Sequence, residues 1–200
     1  MPDHAVSTIT VWSTDPPALA AVKVHAAAPS DWPVAPAGRS GGHRLLAWLG
    51  GLGERRGLSS GAWVERPFSL EAVVPTGMDE GAWDGDRALA LWGTSRPELE
   101  STVEVVADDR IVYGLATAYS HAGEVFRALS AAHPSVVVHA VTTCESEYAA
   151  VAWYVRGEVV DERELQLDLT DEEWEEWDLD WDLPADWSFD VATAQRLAIG

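Results

Sequence analysis

The chain predicts an α+β protein: one mostly antiparallel sheet with helices packed on one face, followed by an acidic, tryptophan-rich C-terminal extension. Three observations predict it. Strand-like and helix-like patterns follow in the order strand, helix, strand, hairpin, helix and meander, as expected where helices gather on one side of an antiparallel sheet. Asp108-Asp109 separates two β-branched runs, which suits a tight hairpin turn. Positions 161–190 hold fourteen of the 33 acidic residues against one basic residue, Arg163, yet carry Trp174, Trp177, Trp181 and Trp187.

Ser7 to Val11 is rich in β-branched residues and reads as the opening strand. Asp15-Pro16 then supplies a helix N-cap with proline at the first helical position, and a helix to about Ala27 follows. Between Pro29 and Pro67 the composition changes: half of the 16 glycines lie here, with Arg39, Arg44, Arg55, Arg56 and Arg66. This stretch reads as a surface excursion. Within it His43 to Leu49 predicts a short helix, because Leu45, Leu46 and Leu49 recur at helical spacing before Gly50-Gly51. Phe68 to Val74 reads as a strand ending at Pro75, and residues 76–88 as irregular chain.

Thr102 to Val106 and Ile111 to Ala118 are the two hairpin strands. Ser120 is positioned to cap the next helix, in which Ala122, Val125, Phe126 and Leu129 share one face and Glu124 lies near the positive helix start. Pro134 stops it. Val136 to Thr143, Tyr148 to Val155 and Val159 to Leu169 then form the meander, turning near Glu145-Ser146 and Arg156-Gly157.

In the extension, Leu165, Leu167 and Leu169 alternate as in a half-buried strand, and Thr170 with Glu173 forms a capping box. Asp178-Leu179-Asp180-Trp181-Asp182-Leu183 alternates again. Disordered acidic segments are poor in large aromatics, so this stretch is expected to dock on the body. Asp190 to Ile199 predicts a closing helix. The organisation is therefore one domain over 1–165, with an excursion at 29–67, and a docked extension over 166–200.

Lys and Arg number 13 against 33 acidic residues, a formal charge of −20. A surface of that sign repels phosphates and acidic membranes and favours basic partners, which argues against direct nucleic-acid binding. The single cysteine, Cys144, cannot close an intrachain disulfide, and Met1-Pro2-Asp3-His4 does not look like the start of a secretory signal. No apolar run approaches the roughly 20 residues of a membrane-spanning helix. A cytoplasmic protein, monomeric or weakly associating, is expected.

Several separated motifs carry a family resemblance. Ser7-Thr8-Ile9-Thr10-Val11 is similar to an opening strand, Phe68-Ser69-Leu70 with Val73-Val74-Pro75 to a Phe-Ser-Phe and Leu-Val-Pro strand, and Trp92-Gly93-Thr94 to a Trp-Gly-Thr motif. Thr117-Ala118-Tyr119-Ser120 resembles the Thr-Ala-Trp-Ser that introduces a second helix. In this order, over about residues 5–165, they resemble the YubB-type ferredoxin-like family of bacterial, phage- and plasmid-associated proteins of uncharacterised function. The family pattern continues with Lys-Trp where this chain has Ser95-Arg96, and with Pro-Pro where it has His121-Ala122. The resemblance implies a ferredoxin-like βαββαβ sheet and no catalytic residues. The fold name does not imply an iron–sulfur cluster, for which one cysteine cannot supply four thiolates.

The side chains offer little catalytic or metal chemistry, and no cofactor is expected. Cys144 follows His139 by five residues on one predicted strand, so thiol and imidazole project to opposite faces and cannot pair as nucleophile and base. His121, His133 and His139 contain no pair at the i, i+4 spacing of a helical zinc site. Asp178, Asp180, Asp182 and Asp186 imitate four ligand positions of a calcium loop, but the glycine and the bidentate glutamate fall on Leu183 and Phe189. Gly38 to Arg44 is glycine-rich but lacks the Gly-Lys-Ser/Thr ending of a phosphate loop.

What remains is electrostatic. The expected function is a non-enzymatic interaction module whose acidic surface, formed by Glu172, Glu173, Glu175, Glu176, Asp178, Asp180 and Asp182, meets a basic protein partner. Alternate aspartates on a strand stand about 6.6 Å apart, a sparse imitation of duplex charges at about 1.7 Å of axis, so a DNA mimic is one alternative. The other is a small enzyme or ligand-binding protein with a pocket between sheet and excursion, rimmed by Tyr119, His121 and Arg44.

Overall fold

Alternation along a strand sends neighbouring side chains to opposite faces, so a strand buried at almost every position is covered on both. His4–Trp12 is such a strand, buried at seven of nine positions. The structure, a computed structural model, describes residues 4–28, 66–78, 82–144, 148–167 and 183–199. Among them six strands make one antiparallel sheet and five helices lie around it. The strands are β1 (His4–Trp12), β2 (Glu100–Val106), β3 (Arg110–Ala118), β4 (Val137–Cys144), β5 (Tyr148–Val155) and β6 (Glu158–Gln166). The helices are α1 (Pro16–Ala26), α2 (Leu70–Val73), α3 (Gly85–Trp92), α4 (Gly123–Ala132) and α5 (Val191–Ile199). Spatial order is β2-β3-β1-β4-β5-β6, and every neighbouring pair is antiparallel.

Ile9 and Val11 of β1, Ile111, Tyr113 and Leu115 of β3, and Val138 and Ala140 of β4 share the first face. Leu19 and Val22 of α1 and Val125, Phe126 and Leu129 of α4 close over them. Phe68 meets Tyr113 and Phe126 edge-on, with ring centroids 5.2 and 6.2 Å apart. Trp12, Val137, Trp153 and Val155 point the other way and receive Ala194 of α5. Beside them Leu167, Leu183 and Trp187 pack on Ala149 and Val151. The body helices α1 and α4 therefore share one face, and the C-terminal helix of the extension covers the other.

The start of α1 is fixed by Pro16 and by the Asp15 carbonyl, which accepts the Ala18 N–H at 3.0 Å; the Asp15 carboxylate caps nothing. The expected strand over Phe68–Val74 is instead the helical turn α2. Glu98 explains the change. Its buried carboxylate accepts the Leu70 N–H at 3.1 Å and pairs with Arg66 at 3.0 Å, so the chain is turned at Leu70 in spite of its β-prone residues. Part of the expected irregular stretch 76–88 is the start of α3, which Asp84 caps by accepting from the Asp86 and Arg87 N–H groups. Gly93, at φ +83°, ends it.

Two motifs distant in sequence lock together at that end. Trp92 donates its indole N–H to the Val74 carbonyl at 2.8 Å, and Thr94 donates to the Ala118 carbonyl at 2.8 Å. Ser120, expected to cap α4, donates instead to the Gly93 carbonyl at 2.6 Å, and Ala122 takes the cap position. A Cβ on Gly93 would lie 2.9 Å from the His121 carbonyl oxygen.

Arg156 and Gly157, both at positive φ, turn β5 into β6. β6 is shorter than the expected 159–169 strand and exposed along almost its whole length; Leu165 faces solvent, while Leu167 beyond its end is buried. Leu169, the 43–49 helix and the Thr170 capping box lie outside the described residues.

Two stability outcomes are expected. Glu98→Ala strands the Arg66 guanidinium in a buried site and should cost about 3–5 kcal/mol, lowering Tm by about 10 °C. Gly93→Ala combines a left-handed backbone with a clash against a carbonyl and should cost about 2 kcal/mol or more. Denaturant melts check both, and a loss below about 1 kcal/mol in either removes its assigned role.

Candidate functional site

A charged edge is built at β6, which among the described residues pairs only with β5. Its register sets Glu162 beside Ala152 and Glu164 beside Ala150 on the α4 side, and Asp161 and Arg163 beside Trp153 and Val151 on the opposite side. Arg163 is the one cation of the strand, and it is held internally: its guanidinium lies 3.6 Å from Asp161 and hydrogen-bonds Asp186. The α4-side row is left with Glu162 and Glu164, and Glu164 also accepts from the Gln166 amide.

The charges reach the groups beneath them. His121 precedes α4, and its ring nitrogen Nδ1 lies 3.2 Å from the Tyr148 hydroxyl. Burial lowers its pKa, while Glu162 and Glu164 pull the other way. Burial drives the Tyr154 hydroxyl well above its ordinary value, with Glu162 and Glu124 adding to the rise. The α4 side of the edge thus carries the carboxylates of Glu162 and Glu164, with Glu124 of α4 nearby and paired with Arg127.

On the opposite face a cleft of about 450 Å³ is lined by Trp153, Asp161, Arg163, Asp186, Asp190 and Arg196, among others. Its charges already have structural work. Asp186 takes Arg163, and the Asp190 carboxylate accepts the Ala192 and Thr193 N–H groups at the start of α5, which lowers its pKa. Beneath lies His139, against Trp153 at a centroid distance of 4.3 Å and Phe189 at 5.9 Å. Its Nε2 has no hydrogen-bond partner. Burial pulls its pKa down to about 4, with the charge of Arg163 acting in the same direction and a hydrogen bond to the Trp187 backbone opposing it.

The sequence-derived site residues fare differently. Glu172, Glu173, Glu175, Glu176, Asp178, Asp180 and Asp182 lie outside the described residues, as do Arg44 and the Gly38–Arg44 stretch. Their flanks are described: Leu167 and Leu183 both join the cluster on Ala149 and Val151. Cys144 is buried with its thiol 3.5 Å from the Tyr119 carbonyl, on the face opposite His139. His133 closes α4 and pairs with His25 at 2.9 Å, joining neither His121 nor His139. No group of three or more metal-ligating side chains occurs among the described residues. Alternation of Leu165, Leu167 and Leu169 predicts a half-buried strand, and sequence reasoning did not single out Glu162 and Glu164 on its solvent side, whose two-residue spacing is the legible signal of the acidic face of β6.

No family model and no curated protein matches the sequence. Among solved structures, protein api92 from Yersinia pseudotuberculosis, described under the family name DUF1281, is similar with a TM-score of 0.40 at 16% identity. The similarity covers 62% of this chain, which spans about half, 53%, of that one. No described helix is long and apolar enough to cross a membrane.

His139 sets an expected acid response. Its folded pKa of about 4 lies below the usual 6.5, so as pH falls below 6.5 the unfolded chain takes the proton first and stability is lost down to pH 4. At 1.36 kcal/mol per unit the loss from this group is about 3 kcal/mol. His139→Leu should flatten the stability–pH curve over that window in denaturant melts; an unchanged slope removes the assignment.

Proposed function

We propose that this protein is a non-enzymatic interaction module that presents an acidic surface to a basic protein partner. The observation that carries the reading is the edge of β6, which among the described residues pairs only with β5 and where Glu158, Asp161, Glu162 and Glu164 are exposed and Arg163 is already held by Asp161 and Asp186. A second contribution is assigned to Glu172, Glu173, Glu175, Glu176, Asp178, Asp180 and Asp182 on the charge of the sequence alone; the flanking Leu167 and Leu183 pack in one cluster on Ala149 and Val151. The net charge of −20 favours a cationic partner at long range and disfavours nucleic acid. The internal use of the cleft charges speaks for this reading over a ligand pocket.

On the fold, the reading is a ferredoxin-like core, β1-α1-β2-β3-α4-β4, related to the YubB-type family of bacterial mobile elements. The strand order β2-β3-β1-β4 supports it, as does the contact between the Trp92-Gly93-Thr94 and Thr117-Ala118-Tyr119-Ser120 motifs. Strands β5 and β6 with α5 then form an addition that carries the acidic edge.

The test is a purified partner, identified by mass spectrometry of proteins retained by the full chain and titrated at low and at high salt. Neutralising Glu162, Glu164, Glu172, Glu173, Glu175 and Glu176 to glutamine should weaken binding about tenfold or more and flatten its salt dependence. Equal affinity and equal salt response would overturn the acidic-surface reading.

A further inference from the structure

The two sheet edges differ. The first four residues of β2 are half-buried, and Phe68 donates its N–H to Ser101 in that stretch at 3.3 Å. β6 is solvent-exposed at eight of nine positions. An antiparallel strand with one neighbour directs alternate N–H and C=O groups away from that neighbour, where another chain can meet them. The register shift opposite Trp153 and Tyr154 leaves Val160 without a partner, so the regular run available for pairing is 161–166.

The charge pattern selects the occupant. Glu162 and Glu164 project on the α4 side, two residues and about 6.6 Å apart. A second copy of this chain is disfavoured: antiparallel self-pairing centred on Arg163 sets Glu162 of one copy opposite Glu164 of the other, and like charges directly opposed destabilise a pair. A strand with cations at alternate positions gains at both places.

We propose that β6 receives its partner by strand addition: an extended basic segment pairs along 161–166 and sets lysines or arginines at alternate positions against Glu162 and Glu164. The mode rests on the acidic-surface reading and deepens it, since main-chain hydrogen bonds give adhesion while the two carboxylates give preference for cations. Arg163, turned to the opposite face and held by Asp161 and Asp186, does not oppose the incoming cations.

The probe is a short synthetic peptide alternating lysine and valine, titrated into the full chain with backbone amide exchange followed by NMR. Two further peptides carry N-methyl groups on every lysine or on every valine, which blocks one hydrogen-bonding edge each. Binding should slow exchange within 161–166, fall about tenfold in at least one N-methylated form, and weaken similarly in Glu162→Gln/Glu164→Gln. If both N-methylated peptides bind as well as the parent, or 161–166 gains no protection, strand addition is overturned while the acidic surface stands. If the double variant binds as tightly, the chosen carboxylates are wrong. A concentration-dependent dimer that protects the same amides would replace the basic segment with a second copy. The acidic-surface reading itself fails separately, by the salt titration of the natural partner.

Discussion

The central strand has no solvent side, and most of the architecture answers to that constraint. β1 lies between β3 and β4 with Ile9 and Val11 on one face and Trp12 on the other. Each buried large apolar side chain contributes about 1.5–3 kcal/mol only while something covers it. On the first face α1 and α4 provide the cover. On the second it comes from the last described segment, through Phe189 and Ala194, so the C-terminal region is part of the core.

That placement gives the acidic edge a rigid backing. β5 is buried at seven of eight positions, and β6 pairs with it at every position but Val160 before turning into Leu167, which packs with Trp187. The carboxylates of β6 are therefore held by a strand whose inner neighbour is fixed on both faces. A surface of fixed charges selects among partners better than a mobile one, because less side-chain and backbone freedom is lost on binding. Exposed edges otherwise invite pairing with any strand, and glutamates along this one deter a like-charged edge.

Much of this was legible from spacing alone. α4 follows from the helical spacing of its apolar residues, and β1, the hairpin across Asp108-Asp109, β4 and β5 follow from short runs of β-branched and apolar residues bounded by turn residues. Where the reading went astray, a distant partner decided the local conformation. Phe68–Val74 has β-prone residues, yet a carboxylate from Glu98 turns it into α2; Ser120 is a good capping residue, yet the Gly93 carbonyl claims it. The α3 caps, Asp84 and Gly93, were present in the sequence, but a short acidic, glycine-bearing stretch reads equally as loop. For the candidate site, the net charge and the acidic C-terminal block were plain, whereas an edge is a property of the sheet: only strand order reveals that β6 has one neighbour among the described residues.

The two roles of the C-terminal region are separable by side chain but not by segment. Removing it would uncover Trp12, Val137 and Trp153 on the second face together with His139, whose neutral imidazole is buried against Phe189 and bonded to the Trp187 backbone. Loss of binding in a truncated chain would then follow from loss of the sheet that displays β6, whatever the carboxylates do. Glu162 and Glu164 sit on the other face, away from those packing contacts, so replacing their charge leaves the cover of the second face in place. Charge at the β6 edge and cover of the second face are thus set by different side chains, and one can be altered without removing the other.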